Sequence, residues 1–502
     1  MSTLIIRNFN KIAIDTKNKL LLDKITKSLT YYEPVYLRGK DYYLAKKQGL
    51  PTVKRQRWEC FVFDIKNRLV TSLGFLERIK NILNEFGEPF VYKELCTHPK
   101  PEVFIPQWHK IQKFPLRFRQ REVLEILANC ENGRISCPPG WGKTYVMILA
   151  AMLFPKAKIA IVTRRVEVMQ QRIYPALCLN LPDVGIVGGG KRNKGHRVMC
   201  YTANSLHHAD GDEDFVLFDE GHEAAADDIS SKMAKFTHAR MFGFSATWDK
   251  RLDNKDMRCE AMFGPIRIHI DYATAVKKSL VVPIRVLLRN VKMINDPCAN
   301  IDSREVDMER YGIWANEYRN KLIVEDARRY DENTQVLITV KTLEHGLYLK
   351  KLLPEYELVY NERGQRPEDW EYFYRVGLID EHFVPLDRTK RENLRNDYEK
   401  GILKKVIVTP VWNVGVDMRY LQVVIRADAG ASPINDMQIP GRASRILVGP
   451  DGNNEKSYAI VHDYLDNFNY IFRKKAQKRI RSYREFGWEL AILKDDGIYE
   501  PY

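Results

Sequence analysis

Hydrophobic and polar positions along this chain change period several times, and each change predicts an element. Near the start, "LIIRNFNKIAID" and "WECFVFDI" alternate apolar and polar residues in the manner of half-buried strands. The stretch "LGFLERIKNILNEFG" instead sets Phe75, Ile79, Ile82 and Phe86 at helical spacing with Gly87 as a stop, and "PFVYK" returns to strand. A small α+β domain over residues 1–100 is the expectation. Further on, short wholly apolar runs replace alternation. "DFVLFDEGHE", "RMFGFSAT" and "KKVIVTPVWNVGVDM" read as apolar strands, "GRIS" can end a strand, and "TYVMILAAMLF" reads as an apolar helix.

Composition narrows the class. At 502 residues the chain is too long for one core, and 45% hydrophobic with 29% charged residues is ordinary for a soluble protein. No stretch approaches the roughly 18 apolar residues of a membrane span. The beginning carries no signal-peptide pattern, so a cytoplasmic location is expected, the host cytoplasm if a phage encodes the chain. Eight scattered cysteines without a C-x-x-C pair argue against zinc and for a reducing compartment. Cys137 reads as a small buried apolar residue. A net charge of +15 favours a polyanionic partner, and its placement says more than its sum. "YLRGKDYYLAKKQGLPTVKRQRW" interleaves seven Lys/Arg, among them Lys54, Arg55 and Arg57, with Tyr36, Tyr42, Tyr43 and Trp58. Such a segment suits phosphates and unpaired bases, or else is a solvated loop. A second run of seven positive residues, Arg473 to Arg484, includes Lys474 and Lys475. It reads equally as a helix lying on nucleic acid or as a helix with a solvated face.

The sharpest local signal is "SCPPGWGKT" at 136–144, between a strand and the apolar helix. The G-x-x-x-x-G-K-[ST] phosphate loop asks for glycine where Cys137 stands, and Pro139 is also unusual there. The core survives: Gly140 and Gly142 let backbone N–H groups converge on phosphate oxygens, Lys143 reaches the β and γ phosphates, and Thr144 ligates magnesium. A Pro/Gly turn is the bland alternative. The later segments decide against it. In "DFVLFDEGHE" an apolar strand delivers Asp219 and Glu220 to one strand end, where Asp219 holds magnesium and Glu220 orients the attacking water. "RMFGFSAT" ends at Ser245 and Thr247. In "QIPGRASRI", Arg442 and Arg445 stand three apart, on one face if the segment is helical.

In order and spacing, "LRFRQ", "PPGWGKT", "IVTRR", "YTANSL", "DEGH", "SAT", "VIVTPVWNVGVD" and "QIPGRASRI" resemble the motif set of superfamily-two helicases of the DExH type, over residues 112 to 465. The amino-terminal layout and the tail resemble phage recombination helicases of the UvsW type, which unwind and branch-migrate DNA. The resemblance implies two RecA-like parallel-sheet lobes behind a small α+β domain, with ATP and Mg2+ between the lobes. The expected domains are 1–100, 101–275, 276–470 and a basic tail, 471–502. It implies that Gln120 reads adenine with Arg117 in support, and that Arg445 is the arginine finger with Arg442 beside it. Pro139, Gly140, Gly142, Gly415 and Asp417 fall among its nucleotide contacts. His222, Ser245, Thr247 and Gln438 fall to coupling, and Thr163, Arg164, Thr202 and Thr409 to the nucleic-acid track. "TRR", Thr163 to Arg165, departs from the usual strand-contacting motif.

The expected function is an ATP-driven DNA helicase or translocase on branched intermediates. An ATP-gated DNA clamp, or a helicase for RNA or RNA–DNA hybrids, stays open from sequence. Between Tyr360 and Phe383 lies an aromatic-rich insertion, 361–382, with Trp370, Tyr372, Phe373 and Tyr374. It is either a strand-separating wedge or a self-packed hairpin.

Overall fold

The computed structural model describes residues 3–37, 39–248, 255–301, 305–412, 416, 418–431, 440–447, 454–494 and 496–502. The chain divides into two compact units, Met1–Pro138 with Gly142–Asp271, and Pro139–Trp141 with Tyr272–Tyr502. The fold is α/β, with two eight-stranded, parallel-dominated sheets and a small amino-terminal α+β sheet.

The amino-terminal sheet runs Phe61–Phe63, Leu69–Ser72, Lys11–Asp15, Thr3–Asn8, Phe90–Glu94. Neighbours are antiparallel except Thr3–Asn8 with Phe90–Glu94. Alternation sends Ile5, Ile12 and Ile14 inward, against Leu21 and Ile25 of helix Lys19–Ser28 and Ile79, Ile82 and Leu83 of helix Leu76–Glu85. The second helix stops sooner than its spacing suggests. Phe86 is its exposed C-cap, Gly87 takes a left-handed φ of 60°, and Leu83 fills the core place expected of Phe86.

"WECFVFDI" is likewise not one strand. It breaks at Cys60, whose N–H is held by the Leu29 carbonyl at 2.9 Å. Val53–Glu59 pairs with Thr30–Tyr36 as a separate two-stranded ribbon, while Phe61–Phe63 joins the five-stranded sheet. The basic stretch before Val53 is helical over Gly39–Lys47 instead of loop.

This small domain packs on the rest of the first unit through polar clamps. Arg78 grips Glu260 with two bonds of 2.8 and 2.6 Å, and Asn10 donates to the Phe236 carbonyl at 2.8 Å. Arg258 donates to the Tyr31 hydroxyl at 2.6 Å and lies over Trp58.

The main sheet of the first unit is ordered Lys191–Asn193, Val184–Gly188, Val198–Thr202, Ile159–Thr163, Phe215–Asp219, Arg240–Ser245, Asn132–Ser136, Ile266–His269. All pairs are parallel except the first. The central strands are buried along their whole length, as the continuous apolar runs require. In register, Thr202 stands opposite Thr163, Asp219 opposite Phe244 and Ser245 opposite Ser136. One carboxyl edge therefore collects the chemistry.

The sheet of the second unit runs Glu357–Val359, Lys405–Val408, Gln335–Thr339, Leu421–Arg426, Ala459–Leu465, Ile284–Asn290, Glu489–Leu493, Tyr499–Pro501, and is parallel but for its last pair. Two wholly buried ion pairs lie within this unit, Arg319 with Asp466 and Arg479 with Asp463, each with a 2.8 Å contact. The segment expected as a basic tail is instead part of this architecture. Helix Tyr470–Glu485 buries Phe472, Ala476, Ile480 and Tyr483, and Glu489–Leu493 is a sheet strand. Apolar residues at helical spacing between the charges are the reason. The insertion is a helix, Pro367–Arg375, not a hairpin. Its Phe373 is buried, Trp370 packs on Tyr360, Phe373 and Phe383, and the Tyr372 hydroxyl donates to Glu344 at 3.1 Å.

Candidate nucleotide site

Strand Asn132–Ser136 leads into the glycine loop, and the loop into helix Lys143–Leu153. Gly140 and Gly142 have φ of 87° and 104°, values that side-chain-bearing residues avoid, so both glycines are demanded by the backbone path. The helix begins at Lys143, which sets its unpaired N–H groups at the loop. Cys137 is buried, and burial pushes its thiol up to about 12, which suits the inert apolar role.

Lys143 Nζ meets Glu220 Oε1 at 2.6 Å. Burial alone would lower the Lys143 pKa, but Glu220 and Asp219 outweigh it and the ammonium is held charged. Glu220 has a φ of 53°, a left-handed conformation uncommon for any residue but glycine. That bend ends the strand and starts the short turn Gly221–Ala225.

Asp219, the last residue of Phe215–Asp219, is buried, and its Oδ1 has no hydrogen-bond partner. Desolvation raises its pKa to about 6, with Lys143 opposing and Glu220 adding. A buried carboxylate oxygen left unmatched beside a lysine and a glycine loop fits a magnesium–phosphate group. Thr144, half-buried in the first helical turn, is the matching hydroxyl by position.

Behind these carboxylates the motifs are tied together. His222 Nδ1 and Ser245 Oγ share a 2.8 Å hydrogen bond, and the same hydroxyl accepts from the Thr247 N–H at 3.0 Å. Thr247 Oγ1 is buried without a partner. Trp248, which the sequence reading did not single out, is the packing centre here. Its indole donates to the Ile135 carbonyl at 3.1 Å, and a Cβ on Gly221 or on Gly243 would fall 2.5 Å from its ring. Its position directly after "SAT" was the available signal.

Gln120 is fully buried at the start of helix Gln120–Asn129. Its Oε1 accepts from the Arg117 N–H at 2.9 Å, and a Cβ on Gly142 would lie 2.8 Å from its Nε2. The amide therefore sits against the glycine loop, with the Arg117 side chain exposed.

Other predicted residues fall as follows. Thr163 and Thr202 are buried at the carboxyl edge, Thr202 Oγ1 bonding Ser205 Oγ at 2.8 Å, and Arg164 is exposed. Lys54, Arg55 and Arg57 are exposed on the ribbon, Arg57 beside Glu59 at 2.7 Å. In the second unit, Thr409 Oγ1 donates to the Val359 carbonyl at 3.4 Å. Lys474 is exposed, and Lys475 pairs with Glu309 at 2.7 Å. Arg442 is buried and donates to the Trp412 carbonyl at 2.7 Å. The expectation that Arg442 and Arg445 share a helical face is not met, because helix Pro440–Ala443 ends before Arg445. Just beyond that end, Lys456 donates to the Ala443 and Arg445 carbonyls. Gly415, Asp417 and Gln438 lie outside the described residues, as does the Tyr43 side chain.

Parallel-dominated α/β sheets in both units, with a glycine loop and with Asp219 and Glu220 at one strand end of the first, make a helicase-like fold. Residues 113–250 match the family described as Type III restriction enzyme, res subunit. The chain is similar in fold to Dbp5 of S. cerevisiae, in a structure bound to RNA and ADP BeF3, with 13% identity, 78% of this chain and 93% of that one covered, and a TM-score of 0.50. T4 UvsW aligns over 98% of this chain and 99% of that one at 16% identity and a TM-score of 0.40. Mycobacterium smegmatis helicase Lhr, bound to ssDNA and AMP-PNP, aligns over 79% of this chain and 50% of that one at 16% identity and a TM-score of 0.48. Among curated proteins none matches. The family match and the fold bear out the resemblance to superfamily-two helicases. No helix among the described residues is long and apolar enough to cross a membrane.

Proposed function

We propose that the chain is an ATP-driven DNA helicase or translocase that unwinds or branch-migrates branched DNA in recombination, repair or replication. The observation that carries the reading is the Lys143–Glu220 contact beside the glycine loop, with the unmatched Asp219 oxygen next to it. Gly140, Gly142 and Lys143 hold the phosphates, and Thr144 and Asp219 would hold Mg2+, which supplies charge neutralisation when bound. With nucleotide present, Lys143 exchanges Glu220 for phosphate, which releases the carboxylate to orient the attacking water. Arg445, with Arg442, supplies positive charge for the γ-phosphate, a contribution worth about 10³-fold or more in rate. Gln120 and Arg117 serve the base. His222, Ser245, Thr247 and Gln438 transmit hydrolysis to movement. Thr163, Arg164, Thr202 and Thr409 touch the strand, and the ribbon residues Lys54, Arg55 and Arg57 add phosphate contacts.

The test compares ATP turnover stimulated by single strands, duplex, forks, four-way junctions and RNA, alongside strand displacement. Highest stimulation by forks or junctions, with displacement, is expected. Turnover without displacement would favour a clamp, and highest stimulation by RNA would move the substrate class.

A further inference from the structure

Lys456 sits in a polar stretch, "NNEKSYAI", whose Glu455, Ser457 and Tyr458 are exposed, yet its own side chain is buried. The ammonium donates to three backbone carbonyls, those of Leu421, Ala443 and Arg445, the last at 3.5 Å. Among the described residues no carboxylate compensates it. Burial, with Arg445 adding, lowers its pKa to about 7. A cation buried without a counter-charge is costly, and only well-aimed acceptors make it tolerable.

The surrounding chain is clamped to match. Asn454 Oδ1 accepts from the N–H groups of Leu447 and Lys456 at 3.0 and 3.2 Å, and Glu455 N–H donates to the Leu447 carbonyl at 2.8 Å. The Ser444 carbonyl, between the two that Lys456 takes, accepts from Val282 N–H at 2.7 Å. The carbonyls of Ala443, Ser444, Arg445 and Leu447 are thus each held where helix Pro440–Ala443 ends and Arg445 departs.

We propose that Lys456 is a positioning residue that fixes the backbone carrying Arg445, and so the direction from which that guanidinium approaches the nucleotide. The inference rests on the reading of Arg445 as the arginine finger. Lys456 itself touches no reactant. Its effect comes through geometry: a misplacement of about 1 Å in a catalytic group costs on the order of 10²-fold in rate.

The experiment measures DNA-stimulated ATP turnover of the full chain for Lys456→Met, Arg445→Ala and the double variant, with ATP KM, DNA affinity and melting temperature recorded. Lys456→Met is expected to lower kcat at least about tenfold with ATP KM within about twofold. In the Arg445→Ala background it should lower kcat no further, since it acts only through that side chain. Wild-type turnover in Arg445→Ala would remove the reading underneath. Loss in Arg445→Ala with full kcat in Lys456→Met would overturn the positioning role alone. An equal further loss in the double variant would do the same, by showing a general structural effect. If Lys456→Met does not fold, Lys456→Gln, which is too short to reach all three carbonyls, takes its place, and wild-type kcat there would overturn the role.

Discussion

Asp219→Asn puts the site's electrostatics to a quantitative test without any ligand. The folded chain keeps the Asp219 carboxylate buried, and burial raises its pKa from 3.8 to about 6. A carboxyl group whose pKa rises on folding binds its proton more tightly in the folded than in the unfolded chain. Its charge therefore costs stability above about pH 6, and that cost fades as pH falls toward 3.8. An interval of about two units corresponds to a ceiling of about 3 kcal/mol at neutral pH. The asparagine keeps the shape and removes the charge. At pH 7.5, without nucleotide, the variant should be the more stable protein by up to about 3 kcal/mol, read as a higher urea midpoint with unchanged slope. The advantage should shrink to about half at pH 5 and be nearly gone at pH 4. Equal stability at pH 7.5, or an advantage that widens on acidification, would refute the reasoning. The same substitution should abolish ATP turnover, stability and activity moving in opposite directions as at other strained functional sites.

Lys143→Ala should abolish DNA-stimulated ATP turnover while leaving DNA binding largely intact in a filter or anisotropy assay; unchanged turnover would remove the site assignment. Gly221→Ala should destabilise the first unit by about 1–3 kcal/mol in thermal or urea unfolding, because its Cβ would meet the Trp248 ring at 2.5 Å. Arg479→Met should cost about 3–5 kcal/mol in urea unfolding by leaving the buried Asp463 carboxylate without its cation, with DNA affinity unchanged because Arg479 is itself buried. DNA affinity should fall steeply between low and physiological salt, and charge reversal at the exposed Arg55 should flatten that dependence.

Much of the fold was legible because its signals are local. Short continuous apolar runs such as "FVLF", rich in β-branched and aromatic residues, suit buried strands of a covered sheet, and this one is a central strand. The loop glycines were legible for a similar reason, since the path of the chain there needs positive φ. Element ends were harder to read. Phe86 shares the helical spacing of Ile79 and Ile82, yet the Gly87 turn leaves it outside. The split of "WECFVFDI" depends on the Leu29 carbonyl holding Cys60. The place of Trp248 depends on Gly221 and Gly243, distant in sequence, which leave room for its ring.

Charge was the least legible property. By itself the amino-acid sequence determined the strands, the phosphate-loop backbone and the delivery of Asp219 and Glu220 to one edge, because periodicity and glycine conformation act over a few neighbouring residues. Tertiary structure alone decided which cations face water. Arg55 and Lys474 do, while Arg479 serves Asp463, Arg258 covers Trp58 and Lys456 binds three carbonyls. A basic side chain looks the same in sequence whether solvated or buried, and its partner is supplied by elements many residues away.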